Sequence, residues 1–409
     1  MKKIILFKSN KLNNSLIPLT GSKSETNRAL IINALCANPG IINHVSQAND
    51  CIIMQALLSQ EADNYDAEDA GTVMRFMTAY LSLQNKKAVI TGTDIMKKRP
   101  ITVLVDALNT LGADITYLEE SGYPPLKING LIEQKTDSLE IASDVSSQYI
   151  SGLLMLAPVL PLGLSLKLRG AAVSMPYIDM TVSIMQHFGV ETEVKDITYK
   201  VKPQVYKYAP YAVESDWSAA SYWYSIFVLS DLQELRLAGL KQASFQGDNV
   251  VAKLMEYFGV ITSFDEKGAI LNKIEPSLPD EFDFINCPDL AQTFAVLCAA
   301  LGHNCMFHGL QTLKIKETDR VAALKTELNK LGADLIEDGN SWRLKPIPQD
   351  KFQNQGKVTI DTYNDHRMAM AFAPLATRMD VEIDSADVIN KSYPGFWRDM
   401  KTLGFKINY

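Results

Sequence analysis

Along the 409-residue chain, apolar positions alternate between two regimes. Segments with apolar residues three and four apart read as amphipathic helices, and short runs with a spacing of two read as strands. The two regimes meet at a recurring junction, where a helix closes on an apolar residue, Gly follows, and a strand begins. The junctions are Leu111-Gly112, Phe188-Gly189, Phe258-Gly259, Leu331-Gly332 and Leu403-Gly404, and their glycines stand 77, 70, 73 and 72 residues apart. A Gly there supplies the left-handed turn that ends a helix. The first four lead into strand hairpins, for example residues 333–337 and 341–344 around Asp338-Gly339-Asn340.

A second marker has the same period. Short polar stretches each open an apolar helix around Ser24, Ala70, Ser146, Asp216, Asp289 and Asp365, at spacings of 46, 76, 70, 73 and 76. Two offset markers with one period define a repeat of helix, strand, helix and strand hairpin. The first repeat is about 25 residues short, because an acidic loop follows Leu57-Leu58 where a hairpin is due. The last stops after one strand, Phe405-Lys406-Ile407-Asn408, and the N-terminal strand at residues 3–7 is placed to complete it. Six repeats divide as three and three. One domain is expected at residues 20–215, and a second at residues 1–19 and 216–409, with crossings near Thr20 and Ser215.

Composition narrows the class. Apolar residues are 47% and charged residues 21%, the profile of a globular protein. The net charge of −7 argues against a nucleic-acid partner, so basic residues inside a motif need a local reason. The N-terminal apolar run is too short for a signal peptide, and no run of about 18 apolar residues offers a membrane span. The five cysteines form no CxxC pair and mostly lie in apolar runs, as reduced buried thiols would. A cytoplasmic location is expected.

The chemistry sits at helix starts, where free N–H groups attract anions. Gly21-Ser22-Lys23-Ser24-Glu25-Thr26-Asn27-Arg28 opens one helix; Ser22 and Glu25 fit a capping box, while Ser24 and Arg28 share a face. A structural cap needs neither Lys23 nor Arg28. At Asp69-Ala70-Gly71 the glycine allows a ligand close to the backbone, and Asp69 is expected to cap the helix with its carboxylate turned from the anions. Ser146-Ser147-Gln148 presents two hydroxyls and an amide. Cys287-Pro288-Asp289, Lys314-Ile315-Lys316-Glu317-Thr318-Asp319-Arg320, Asn364-Asp365-His366-Arg367 and Lys391-Ser392-Tyr393-Pro394 add carboxylates and further cations. A ligand with both carboxylate and phosphate groups would account for this density of Arg and Lys.

Taken in order, these motifs, with Lys98-Arg99-Pro100 and Pro176-Tyr177-Ile178-Asp179, resemble the 5-enolpyruvylshikimate-3-phosphate synthase family over nearly the whole chain. The resemblance implies an α/β fold, a two-domain inside-out α/β barrel built from six repeated helix–strand units, three per domain, with the active site in the cleft between. It implies that shikimate 3-phosphate meets Lys23, Ser24, Arg28, Ser146, Ser147, Gln148, Ser174, Tyr177, Asp289, Thr312 and Lys316. Phosphoenolpyruvate would meet Lys23, Gly71, Arg99, Gln148, Arg320, Arg367 and Lys391. No metal or organic cofactor is implied. The implied reaction is addition–elimination, with Asp289 as base, Glu317 as the acid at C3 and Lys23 as a proton shuttle. The partners are those two small molecules, with no nucleic acid and no membrane, and the chain is expected to act as a monomer. Glyphosate, which carries a carboxylate and a phosphonate, is expected to compete with phosphoenolpyruvate.

Four positions depart from the family pattern: Asp69 stands for Asn, Phe76 for Pro, and Thr312-Leu313 for Asn-Trp. The hydroxyl of Thr312 can replace part of the missing contact. Two other readings share parts of this pattern. The sister enzyme acting on UDP-N-acetylglucosamine typically carries a loop cysteine, and residues 91–100 contain none. A catalytically silent paralogue would not need Asp289, Glu317, Lys23, Arg320 and Arg367 together.

Overall fold

The computed structural model describes residues 2–9, 11–84, 87–142, 146–170, 174–354 and 356–409. The chain divides into two compact units, Gly21–Val213, and Met1–Thr20 with Glu214–Tyr409. Each has its own hydrophobic core, and no core residue of one belongs to the other.

The repeat is a strand, a helix, a parallel strand, a second helix and a hairpin. In the first unit, Asn64–Asp66 pairs parallel with Ala88–Thr91, which pairs antiparallel with Leu126–Leu131, itself paired with Ala113–Tyr117. The same order joins Ser138–Ala142, Leu164–Arg169, Thr198–Val201 and Glu193–Lys195. In the second unit it recurs for Glu281–Asp283, Cys305–His308, Ser341–Lys345 and Asp334–Asp338. The last sheet, Lys357–Ile360 and Asp380–Ile383, is completed by the N-terminal strand Ile4–Leu6, which lies between Asp380–Ile383 and Ile407–Asn408.

At the two crossings, leading strands are exchanged. Leu16–Ile17 precedes helix Lys23–Ala34 and strand Ile42–Asn43, yet pairs with Glu234–Ala238. Tyr211–Ala212 precedes helix Trp217–Leu229 and strand Glu234–Ala238, yet pairs with Ile42–Asn43. The chain thus changes unit between a leading strand and its helix, and each unit keeps the strand left behind. Among the described residues, Ile42–Asn43 has this single partner, because the shortened repeat carries no hairpin.

Burial separates the two helices of a repeat. Trp217–Leu229 and Ala291–Leu301 are buried on nearly every side, as core helices must be. Thr102–Leu111 and Arg320–Lys330 bury one face each. Polar motifs open helices of both kinds: Cys287-Pro288-Asp289 leads into the buried Ala291–Leu301, and the charged run at residues 314–320 into the one-faced Arg320–Lys330. The five junction glycines all have φ between 79° and 115°. At Gly112 a Cβ would also lie 2.0 Å from the carbonyl oxygen of Glu133, so position and conformation both demand Gly. No helix of the described residues is long and apolar enough to cross a membrane.

Candidate functional site

In the unit Gly21–Val213, helix Lys23–Ala34 buries Glu25, Thr26, Asn27 and Arg28 in succession, an unusual polar run for a helix interior. Ser22 caps the helix by accepting from the Glu25 amide at 3.4 Å, and the Glu25 carboxylate accepts from the Tyr211 hydroxyl at 2.7 Å. Arg28 is 2% exposed. It donates to the Thr181 hydroxyl at 2.7 Å, the Ser24 carbonyl at 2.8 Å and the Ser151 hydroxyl at 3.1 Å. Its guanidinium also stands 5.4 Å from the centre of the Phe76 ring, which gives that departure from the family pattern a packing role. Among the described residues no carboxylate pairs with Arg28, and burial pulls it down to about 10. A desolvated cation without a counter-charge is a place for an anion. Lys23 Nζ lies 3.4 Å from Asp50 Oδ2.

Helix Gly71–Ser82 opens without a side-chain cap, and its capping position is Ala70. The residue expected to cap it, Asp69, stands one residue before the capping position, and its carboxylate accepts from the Thr93 hydroxyl. A Cβ on Gly71 would lie 2.7 Å from Arg75 Nη1 and 2.8 Å from Arg99 Nη1, so two guanidinium groups converge over this glycine. Arg75 donates to Gln148 Oε1 at 2.7 Å, and Gln148 Nε2 donates to the Thr72 hydroxyl at 2.9 Å. Ser146 caps helix Ser147–Leu156 through the Gln148 amide. Ser174 stands at the start of helix Met175–His187 with φ of 57°, makes no capping bond, and accepts at its carbonyl from the Tyr177 amide.

In the other unit, three helix starts converge on one arginine. Arg320, 2% exposed, donates from Nε to Asp365 Oδ2 at 2.6 Å, from Nη1 to Asp289 Oδ1 at 3.0 Å and from Nη2 to Glu317 Oε2 at 2.7 Å. Arg367 donates to Asp289 Oδ2 at 2.7 Å, to the Asp289 carbonyl at 3.2 Å and to the Tyr222 hydroxyl at 3.3 Å. Burial alone would raise the Asp289 carboxyl; the charges of Arg367, Lys316 and Arg320 outweigh it and hold the group well below the usual carboxylate range. Burial lowers Lys316, against the pull of Asp289. Thr312 Oγ1 is buried with no partner among the described residues, so the hydroxyl standing for the family's Asn is unspent. Lys391 Nζ donates to the carbonyl of Asn364, which has φ of 57°.

The expected residues thus fall into two constellations. Lys23, Ser24, Arg28, Gly71, Arg99, Ser146, Ser147, Gln148, Ser174 and Tyr177 belong to one unit, and Asp289, Thr312, Lys316, Glu317, Arg320, Arg367 and Lys391 to the other. Within the first, Gly71 and Arg99 come together; within the second, Asp289, Glu317, Arg320 and Arg367 do. Arg75, Thr72, Asp50 and Tyr222 are additions from the structure, and Asp365, already marked in the sequence as a helix start, joins them as a partner of Arg320. Arg75 follows Gly71 by four, the helical spacing that already joins Ser24 to Arg28.

Residues 53–400 match the family described as EPSP synthase (3-phosphoshikimate 1-carboxyvinyltransferase). A protein of Bacteroides fragilis named 3-phosphoshikimate 1-carboxyvinyltransferase is 46% identical over 96% of this chain and 95% of its own length. One of that name from Photobacterium profundum is 34% identical over 95% of this chain and 96% of its own. In three dimensions the chain is similar to EPSP synthase from Acinetobacter baumannii, with a TM-score of 0.80 at 17% identity over the full length of both. The enolpyruvyl transferase NikO from Streptomyces tendae gives 0.76 at 13%, covering 99% of this chain and 98% of that one. Relatives nearly half identical from end to end and a family match over most of the sequence place this two-unit α/β chain in the EPSP synthase family.

Proposed function

We propose that the protein transfers the enolpyruvyl group of phosphoenolpyruvate to the 5-hydroxyl of shikimate 3-phosphate, releasing phosphate, in the shikimate route to aromatic amino acids. One observation carries the reading: a single buried guanidinium, that of Arg320, binds both Asp289 and Glu317, so a base and an acid share one cation. In the first step Asp289 takes the hydroxyl proton, the oxygen bonds to C2 of phosphoenolpyruvate, and C3 gains a proton from Glu317. In the second, C3 returns that proton and the C2–O bond to phosphate breaks. Lys23 moves protons between solvent and these groups.

Before substrate arrives Asp289 is a weak base, because two guanidinium groups hold it as carboxylate. Arg320 uses three of its five N–H groups on carboxylates, which leaves donors for the anionic substrate. The carboxylate of phosphoenolpyruvate, meeting Arg320, Arg367 and Lys391, offsets their charge and makes Asp289 more basic as the reactant binds. Arg28, with Lys23, Ser24, Ser146, Ser147, Gln148, Ser174, Tyr177, Thr312 and Lys316, serves shikimate 3-phosphate, while Gly71 and Arg99 serve phosphoenolpyruvate with Lys23 and Gln148. One chain carries both sets, so a monomer suffices. Five free buried cysteines suit the reducing cytoplasm.

Phosphate release from the two substrates together, and from neither alone, is the expected result. Arg28→Ala raises the KM of shikimate 3-phosphate, and Arg99→Ala that of phosphoenolpyruvate, each about ten- to a hundredfold, the loss of one charge-assisted contact. Release without shikimate 3-phosphate overturns the reaction; mutants that raise the opposite KM overturn the assignment of substrates.

A further inference from the structure

Asp248 lies in the 3-10 turn Gly247–Val250 and is 5% exposed. Its Oδ2 accepts from the Ser218 hydroxyl. Its Oδ1 has no partner among the described residues. The turn itself is fixed. Gln246 Oε1 accepts from the Trp217 amide at 3.0 Å, and Gln246 Nε2 donates to the Ser215 carbonyl at 2.8 Å. Those bonds hold Asp248 against the first turn of helix Trp217–Leu229. A carboxyl retained only for packing would have both oxygens bonded, and an amide would fill the same space.

The charged groups that bear on Asp248 come from three neighbouring elements. Asp216, on the helix behind it, is occupied in capping the Ala219 amide at 2.8 Å. Arg367 is bonded to Asp289 and Tyr222. Asp289 stands in the turn Pro288–Leu290, and helix Trp217–Leu229 packs against both that turn and Gly247–Val250. Ser218, which holds Asp248, and Tyr222, which Arg367 joins to Asp289, are four residues apart on one face of this helix. The Cys287 thiol beside Asp289 is pushed up by burial and by the charges of Asp248, Asp283 and Asp289. Burial and then the charge of Asp289 raise Asp248 to about 7, against the smaller pull of Ser218 and Arg367.

We propose that Asp248 is a positioning residue of the transfer reaction, whose buried carboxyl sets through its own charge how readily Asp289 takes the proton of the substrate hydroxyl. The proposal rests on the reading of Asp289 as the base. The interaction is reciprocal: whatever the Asp289 carboxylate does to Asp248, an ionised Asp248 does to Asp289. With Asp248 protonated, the arginines alone govern Asp289 and it is a poor base. With Asp248 ionised, a negative charge opposes them, and the protonated Asp289 formed in the step is favoured. No bond to Asp248 forms or breaks; the proton moves from the hydroxyl to Asp289 as the oxygen bonds to C2.

The test is kcat/KM for shikimate 3-phosphate at saturating phosphoenolpyruvate, from pH 5 to pH 9, in the full chain. Substrate ionisations are common to all variants, so ratios between profiles report the protein. The ratio of wild type to Asp248→Asn is expected to climb as pH rises through about 7 and to level at about tenfold, a fraction of what general base catalysis supplies. Asp248→Glu retains the climb. Ser218→Ala moves the wild-type acid limb to higher pH, because the ionised carboxylate loses its one hydrogen bond; this variant serves if Asp248→Asn does not fold. A ratio independent of pH, or a limb that Ser218→Ala leaves in place, overturns the role of Asp248. Asp289→Asn separates the two readings: full activity in that variant removes Asp289 as base, whereas loss of activity with a flat Asp248 ratio removes only the present proposal.

Discussion

Gly71 has two guanidinium groups over it, and that geometry decides what a methyl group there does. A Cβ would meet Arg75 Nη1 at 2.7 Å and Arg99 Nη1 at 2.8 Å, the far ends of flexible side chains. Gly71→Ala folds, with both cations displaced outward. Glyphosate, the longer anion, loses more than phosphoenolpyruvate; inhibition constants and KM values that rise by the same factor contradict this. Asp248 gives a prediction of opposite kind. Its folded value of about 7 lies above its ordinary 3.8, so the native state binds its proton more tightly than the unfolded chain. Stability from this group is full below pH 4 and is lost as pH rises to 7. Asp248→Asn therefore gains roughly 1–4 kcal/mol on wild type between pH 5 and pH 8. Urea unfolding at the two values checks it, and an equal difference at both contradicts it. Neither Asp248 nor Tyr222 was legible beforehand. A lone Asp in Gln246-Gly247-Asp248 has no spacing signature, and its burial comes from packing that no local pattern encodes. Lys23, Arg28, Arg320 and Arg367 were legible because several cations at helix starts have no bland explanation.

At the scale of elements, the repeat was legible because it has two markers with separate physical causes. Glycine ends the second helix of a unit; a polar cap opens the first. What escaped was the exchange of leading strands. Leu16–Ile17, Ile42–Asn43 and Tyr211–Ala212 have two residues each, too few for an alternating pattern to register. Their partners are set by where the chain crosses between units. The glycines of the repeat are also unequal, which makes a comparison possible. Gly112 and Gly189 both have positive φ, but a Cβ on Gly189 meets only the Lys207 side chain, 3.8 Å away, whereas on Gly112 it collides with a backbone carbonyl. Gly189→Ala costs about 1 kcal/mol, the left-handed strain alone. Gly112→Ala costs more, roughly 2–4 kcal/mol, because the backbone at Glu133 must also shift. Equal unfolding midpoints for the two variants would show that conformation, not contact, sets the cost.

For the whole molecule, the crossings determine which parts fold alone. The unit Gly21–Val213 is one continuous stretch, and it contains Tyr211–Ala212, the leading strand that pairs with Ile42–Asn43. Its core draws on no residue outside that stretch. Expressed by itself it should unfold cooperatively. The stretch Glu214–Tyr409 is different, for two of its sheets need residues 1–19. Ile4–Leu6 is an inner strand, bonded to Asp380–Ile383 on one side and Ile407–Asn408 on the other, with Ile4 and Leu6 fully buried. Leu16–Ile17 closes the edge of the sheet that starts at Glu234–Ala238, with Ile17 fully buried. Without them, an apolar strip opens along two sheets and the hydrogen-bonding edges of Asp380–Ile383 and Glu234–Ala238 are exposed. Burying three such side chains alone stabilises by about 5–9 kcal/mol, comparable to the stability of a whole domain. The fragment 214–409 should be soluble only in part and lack a cooperative transition. Joining residues 1–19 to its C-terminus through a flexible linker, a circular permutation of the unit, should restore one. Far-ultraviolet circular dichroism across a urea series distinguishes the three proteins. A sharp transition in 214–409 without the N-terminal residues would mean that Ile4–Leu6 is an accessory strand and not a part of the core.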